Sequence, residues 1–179
     1  LCDMTYNEVR RYDFGAQFSN EYKGTKIASY EEFICLCRDR GLNPYVEIYD
    51  GDAFTKERAR QLMDIAARYN MENRITWISS YLNTLETVKA VSNIYDVRML
   101  YVFSKNDYSV KWRLAKLKNA ANRVGLDVNY KVLDSGYINF IKSAGFEVEA
   151  WTVNDYNTAV NFINMGVTGI TTDSILPIK

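Results

Sequence analysis

The sequence predicts an α/β protein, a TIM-type (β/α) barrel that is incomplete, with about six parallel strands alternating with helices. Three observations point there. Short runs dense in Val, Ile, Tyr, Phe and Trp alternate with longer amphipathic runs that carry helix caps. Successive strand runs begin roughly 20–30 residues apart, the length of one β/α unit. No Gly-rich phosphate loop of the nucleotide-binding folds occurs in the sequence, which counts against a doubly wound sheet.

Residues 1–28 contain "TYNEVRRYDFGAQFSNEYKG", a helical turn followed by a loop. "SYEEFICLCRDRG" then opens with Ser29, places Glu32 three residues on and stops at Gly41, the pattern of a capping box with a C-terminal glycine. The first strand is Pro44–Tyr49, with proline at the one position that needs no ladder donor. Thr55 caps the next helix, whose Ala59, Leu62, Met63, Ile65, Ala66 and Tyr69 form a stripe. Arg74–Ser79 is the second strand. Leu85, Val88 and Val91 mark the helix after it. Val97–Phe103 is the third strand, followed by a helix carrying Val110, Leu114, Leu117 and Ala121 and ending at Gly125. Leu126–Val132 is the fourth strand. Asp134 caps a helix that ends at Gly145, and Phe146–Val153 follows as the fifth strand. Asn154 or Asp155 caps the last helix, which ends at Gly166 before the final strand, Gly169–Thr172.

A helix between each pair of strands makes the sheet parallel with right-handed crossovers. The six strand runs fall short of the eight of a full barrel. The Pro44–Tyr49 and Gly169–Thr172 strands are therefore expected to present open edges. Such edges invite self-association, or completion by a second polypeptide or by residues upstream. The absence of an initiator methionine predicts a piece of a longer chain.

The 22 Lys+Arg residues balance 22 Asp+Glu, so no basic excess marks a nucleic-acid partner. No apolar run approaches the ~20 residues of a membrane span. Of the three cysteines, Cys2, Cys35 and Cys37, the last two are too close for an easy disulfide and their C-x-C spacing is not a zinc site; plain thiols favour a reducing compartment such as the cytoplasm.

The carboxylates carry most of the functional signal. Glu47 alternates with Val46 and Ile48, and a barrel strand has no freely solvated face, so Glu47 is metal-bound or paired within the structure. Asp50 and Asp52, at the C-terminal end of that strand, either add ligands or sit in a solvated loop. Trp151 is either a mouth aromatic or core. Ser80 and Tyr81 either line a pocket or hydrogen-bond their loop. Thr152, Asn154 and Asp155 read as a turn and cap, and Asp173 as an orienter of the last loop. The chain has no histidine, and imidazole is the one side chain with an unperturbed pKa near 7.

"AWTVND" followed by "NMGVTGITTDSI" resembles the end of the glycerophosphodiester phosphodiesterase family, and "PYVEIY" is similar to its Asn-Ile-Glu-Ile-Lys strand. "MTYNEVRRYDFGAQFSNEYKGTKIASYEEF" is similar to its segment leading into an Ile-Pro-Thr-Leu-Glu-Glu helix start, with Ala28, Ser29 and Tyr30 in place of Pro, Thr and Leu. The resemblance covers nearly the whole chain in order. It implies one partial barrel domain over residues 1–179, with 1–28 as the family's loop and helix insertion. It also implies hydrolysis of glycerophosphodiesters, or binding of related phosphate esters, with a divalent metal, Mg or Ca. Glu47 matches a metal ligand, and Trp151 matches an aromatic that packs on substrate. Tyr49 stands where the family has a phosphate-facing lysine, and brings no positive charge. The family's His-Arg-Gly strand, its Glu-x-Asp strand and its His-Asp turn have no counterpart here. With them go the two histidines, an arginine and most metal ligands, so the resemblance implies a chain inactive alone.

Overall fold

The computed structural model describes residues 3–49, 53–92, 94–101, 109–118 and 123–174. It divides into two compact units, Leu1–Leu42 and Asn43–Lys179.

The first unit holds two helices, α1 (Tyr6–Val9) and α2 (Tyr30–Asp39), joined by a loop with a 3₁₀ turn at Asn20–Tyr22. The expected capping box forms: Ser29 Oγ accepts from Glu32 N at 3.1 Å, and Glu32 Oε2 accepts from Ser29 N at 2.7 Å. The Ser29 backbone N–H, then Arg10 and Tyr6, hold the Glu32 carboxyl down to about 2. Gly41 ends α2 at φ +68°, a left-handed cap that other residues rarely adopt. The loop is built around Asp13. Its carboxylate accepts from the backbone N–H groups of Gly15 (2.9 Å), Ala16 (3.0 Å) and Gly24 (2.8 Å), which keep its carboxyl below the usual range.

The second unit is one six-stranded parallel sheet in the order β1-β2-β3-β4-β5-β6. The strands are Tyr45–Glu47, Thr76–Ser79, Asp96–Tyr101, Val124–Asn129, Glu147–Trp151 and Gly169–Ile170. Between them run α3 (Lys56–Arg68), α4 (Leu82–Val91), α5 (Val110–Lys118), α6 (Ser135–Ser143) and α7 (Tyr156–Asn164). The alternation expected from the sequence is thus present throughout. Thr55, Asp134 and Asp155 are the side-chain caps of α3, α6 and α7, so Asp155 rather than Asn154 opens the last helix.

Several boundaries differ from expectation, most of them by one or two residues at a strand end. Gly125 does not terminate a helix; it lies inside β4, flanked by buried Val124 and Leu126. The fourth strand stops at Asn129 rather than Val132. The Asn129 side chain accepts from Lys131 N at 3.0 Å, and that local bond turns Tyr130–Val132 into a 3₁₀ turn. Arg74 likewise falls in a 3₁₀ turn, Glu72–Arg74, ahead of β2. Ala121, Asp50 and Asp52 lie outside the described residues.

Alternation along the strands separates two faces. In β4 and β5 the registered pairs Leu126 with Val148 and Val128 with Ala150 are fully buried. They lie on the helix side, where α5 packs on β4 and α6 on β5. Leu114, Leu117, Ile138 and Ile141 supply the helical half of this core. Asp127 and Glu149, one residue out of phase and paired in register with each other, point to the opposite face.

That opposite face is curled inward. Tyr45 Oη on β1 donates to Glu149 Oε1 on β5 at 3.1 Å. These strands stand four places apart, about 19 Å in a flat sheet, too far for two side chains to meet. Among the described residues β1 and β6 are not paired with each other, so the curl does not close. Tyr45→Phe is expected to lower unfolding free energy by about 0.5–1.5 kcal/mol, the net range for one hydrogen bond, measured by urea titration. An unchanged midpoint would mean the bond contributes nothing to the curl.

Lys89 of α4 is buried (8% exposed) and donates to Leu117 O at the end of α5, at 3.3 Å. Burial pulls its ammonium down to about 8. Because an unfolded lysine titrates near ~10.4, the unfolded chain holds more protons between these two values. Stability therefore rises with pH through that window. Lys89→Met is expected to raise the melting temperature at pH 7 and to abolish the rise toward pH 10. Thermal melts at both pH values check this.

Candidate functional site

The inner face of the second unit encloses a cavity of about 680 Å³. Each strand contributes by its alternation. From β1 come Tyr45 and Glu47, with Tyr49 just beyond; from β2, Ile78, with Ser80 one residue past its end. Asp127 of β4 and Glu149 and Trp151 of β5 form the wall, and Thr171 and Thr172 after β6 form part of the mouth. The polar groups converge on a surface that is otherwise largely apolar, the usual make-up of a small-molecule pocket.

Of the residues singled out from the sequence, Glu47, Tyr49 and Trp151 come together here. Glu47 is not enclosed as expected. It is exposed on the cavity face, because β1 is an edge strand in the described sheet and no neighbour covers it. Tyr49 is 81% exposed at the mouth. Trp151 is half-buried, and its indole Nε1 donates to the Asp127 carbonyl at 3.1 Å. Its bond to Thr152 is cis. Tyr81 does not line the cavity. It occupies the position before α4, where its backbone N donates to Ser79 Oγ at 3.1 Å.

Two lining carboxylates were missed in the sequence. Asp127 (1% exposed) accepts from Thr171 Oγ1 at 3.1 Å through Oδ2, and Glu149 (4% exposed) accepts from Tyr45. The signal was there: "GLDVN" and "EVEAW" each set a carboxylate between core residues, the same argument that singled out Glu47. Gly169 of β6 leaves room for Glu149, since a Cβ there would come within 3.0 Å of Glu149 Cγ.

A hard divalent cation needs several oxygen ligands. Among the described residues no three His, Cys, Asp or Glu side chains converge on one point. Glu47 stands near the mouth, while Asp127 and Glu149 are engaged deeper. These residues by themselves do not fit such an ion. Among the described residues, no helix is long and apolar enough to cross a membrane.

The glycerophosphoryl diester phosphodiesterase family matches residues 1–176 of the chain. The chain is 25% identical over 171 residues to a glycerophosphodiester phosphodiesterase of Caldanaerobacter subterraneus subsp. tengcongensis, covering 96% of this chain and 68% of that protein. Among solved structures it is similar to a phosphodiesterase of Oleispira antarctica in complex with the product sn-glycerol-3-phosphate. There the TM-score is 0.81 at 21% identity, over 96% of this chain and 68% of that one. A glycerophosphodiester phosphodiesterase of Parabacteroides distasonis gives a TM-score of 0.72 at 23% identity, over 96% and 67%. At these identities the structural likeness is one of fold. The chain spans about two thirds of the length of the relatives it matches, between 65% and 68%.

Proposed function

Because the chain belongs to the glycerophosphoryl diester phosphodiesterase family, we propose that it is the larger part of a metal-dependent enzyme that hydrolyses glycerophosphodiesters to glycerol 3-phosphate and an alcohol. The observation that carries this is the family match along residues 1–176 of a chain without a single histidine. Phosphodiester hydrolysis needs one group to take a proton from the attacking oxygen and another to give one to the leaving oxygen. Imidazole suits both tasks at neutral pH. The catalytic histidines therefore lie outside these residues, and the chain alone does not turn over.

In this reading residues 1–179 are one domain, with 1–28 an insertion, and the curled sheet is a TIM-type barrel lacking two strands. The edges of β1 and β6 await those strands and, without them, promote self-association. Glu47 supplies one ligand to a magnesium or calcium ion whose other ligands lie elsewhere. Trp151 packs on the substrate, Tyr49 meets its polar end, and Tyr81, next to the lining Ser80, borders the entrance. The crossing of Tyr45 to Glu149 supports the barrel-like curl. The Oleispira antarctica relative, solved with sn-glycerol-3-phosphate, supports the product class.

One observation favours a second reading, a non-catalytic barrel that binds phosphate esters or serves in assembly. Tyr49, where the resemblance places a lysine, gives the mouth no positive charge. The coding DNA upstream of Leu1 separates the two. The enzyme reading expects an in-frame His-Arg-Gly segment there, and hydrolysis by the extended polypeptide. A start codon directly before Leu1 contradicts it and supports the binding module.

A further inference from the structure

The turn after β5 and the segment after β6 meet beside Trp151, and one side-chain amide ties them. Asn154 Oδ1 accepts from the backbone N of Asp173 at 2.8 Å and from Thr172 Oγ1 at 3.0 Å. Its Nδ2 donates to Asp173 Oδ2 at 2.9 Å. An amide is suited to this point, since it accepts from two donors and also donates to a carboxylate while staying neutral. An aspartate here would set two carboxylates face to face.

A second tier lies one residue earlier in each segment. Val153 N donates to Thr171 O at 2.9 Å, and Thr171 N to Ala150 O at 2.9 Å. Thr171 Oγ1 then donates to Asp127 Oδ2, the residue whose carbonyl holds the Trp151 indole. The bonds run from the exposed rim, through Thr171 and Asp127, to the aromatic on the cavity wall. Asn154 and Asp173 are exposed, so each bond there adds little to global stability. What they fix is the orientation of the rim relative to the wall.

We infer that Asn154 and Thr171 are positioning residues that hold the Trp151 indole in a single orientation toward the cavity. The consequence for binding rests on the reading of Trp151 as a substrate contact; the positioning itself does not.

Nuclear magnetic resonance of the whole chain tests this. The chain has three tryptophans, hence three indole N–H signals, and Trp151→Phe identifies the relevant one. In Asn154→Asp at pH 7, repulsion from Asp173 should shift the Trp151 signal and speed its hydrogen exchange about tenfold, the scale of one hydrogen bond's net contribution. Thr171→Val should shift the same signal. The buried Trp77 signal and the unfolding midpoint should hold steady. A Trp151 signal unmoved by both variants overturns the inference. So does a joint movement of all three indoles with the midpoint, which would mean general loosening. Titration with sn-glycerol 3-phosphate is read separately. If it leaves the wild-type Trp151 signal unchanged, the substrate-contact reading fails while the positioning result stands on the exchange data.

Discussion

Trp77→Ala is expected to remove about 3–5 kcal/mol of unfolding free energy, the range for truncating a fully buried aromatic. Trp77 lies in the middle of β2 with no exposed surface, and its ring meets Tyr95 edge-on at 5.8 Å. The loss has two parts: apolar area returned to water, and a cavity that a sheet bonded on both sides of β2 cannot collapse to fill. A domain holds about 5–15 kcal/mol in total, so the variant should be close to unfolded at 37 °C. Trp112→Ala is the control. Trp112 is 64% exposed on α5, under the Lys116 ammonium at 4.1 Å, and its loss should change stability by less than ~1 kcal/mol. Urea titrations followed by circular dichroism measure both. Equal midpoints for the two variants would refute the assignment of Trp77 to the core.

The second large effect concerns the first unit. Gly15 is buried inside the Asp13 loop, and a Cβ there would collide with the Tyr22 carbonyl oxygen and lie 2.6 Å from its carbon. Those are backbone atoms, with no rotamer to yield. Gly15→Ala should therefore cost about 3 kcal/mol, at the upper end for overpacking. The loop would open and Asp13 would lose its three backbone donors. Limited proteolysis should show new cleavage between residues 13 and 26, with the sheet of the second unit still protected. An unchanged cleavage pattern would show that the loop tolerates the methyl group by shifting.

Much of the fold was legible because its signals are local. Capping side chains at Ser29, Thr55, Asp134 and Asp155, and glycines at 41, 145 and 166, act over one helical turn, and each does in the structure what its spacing indicates. The errors came where two local signals compete. Gly125 follows a helical run and looks like its stop, but the β4 ladder claims it. Asn129 sits in an apolar run, yet its side chain bends the backbone out of the strand.

The site was legible only in part, for a different reason. Glu47 stood out as a carboxylate between apolar neighbours, and Tyr49 and Trp151 through the resemblance. Asp127 and Glu149 carry the same alternating signal, but their place in the cavity depends on the curl that brings Tyr45 across from β1. That curl is a property of the whole sheet. Tyr81 is not among the lining residues: β2 ends at Ser79, Ser80 lines the cavity, and Tyr81 already stands at the start of α4.

The most direct test of the central claim is a turnover measurement on the purified 179-residue chain. It uses a glycerophosphodiester with magnesium or calcium in excess at pH 7, and release of glycerol 3-phosphate is followed over hours. No rate above the metal-only background is expected, because the chain holds no histidine to carry the proton transfers. Steady release that scales with protein concentration and survives repurification would contradict the account.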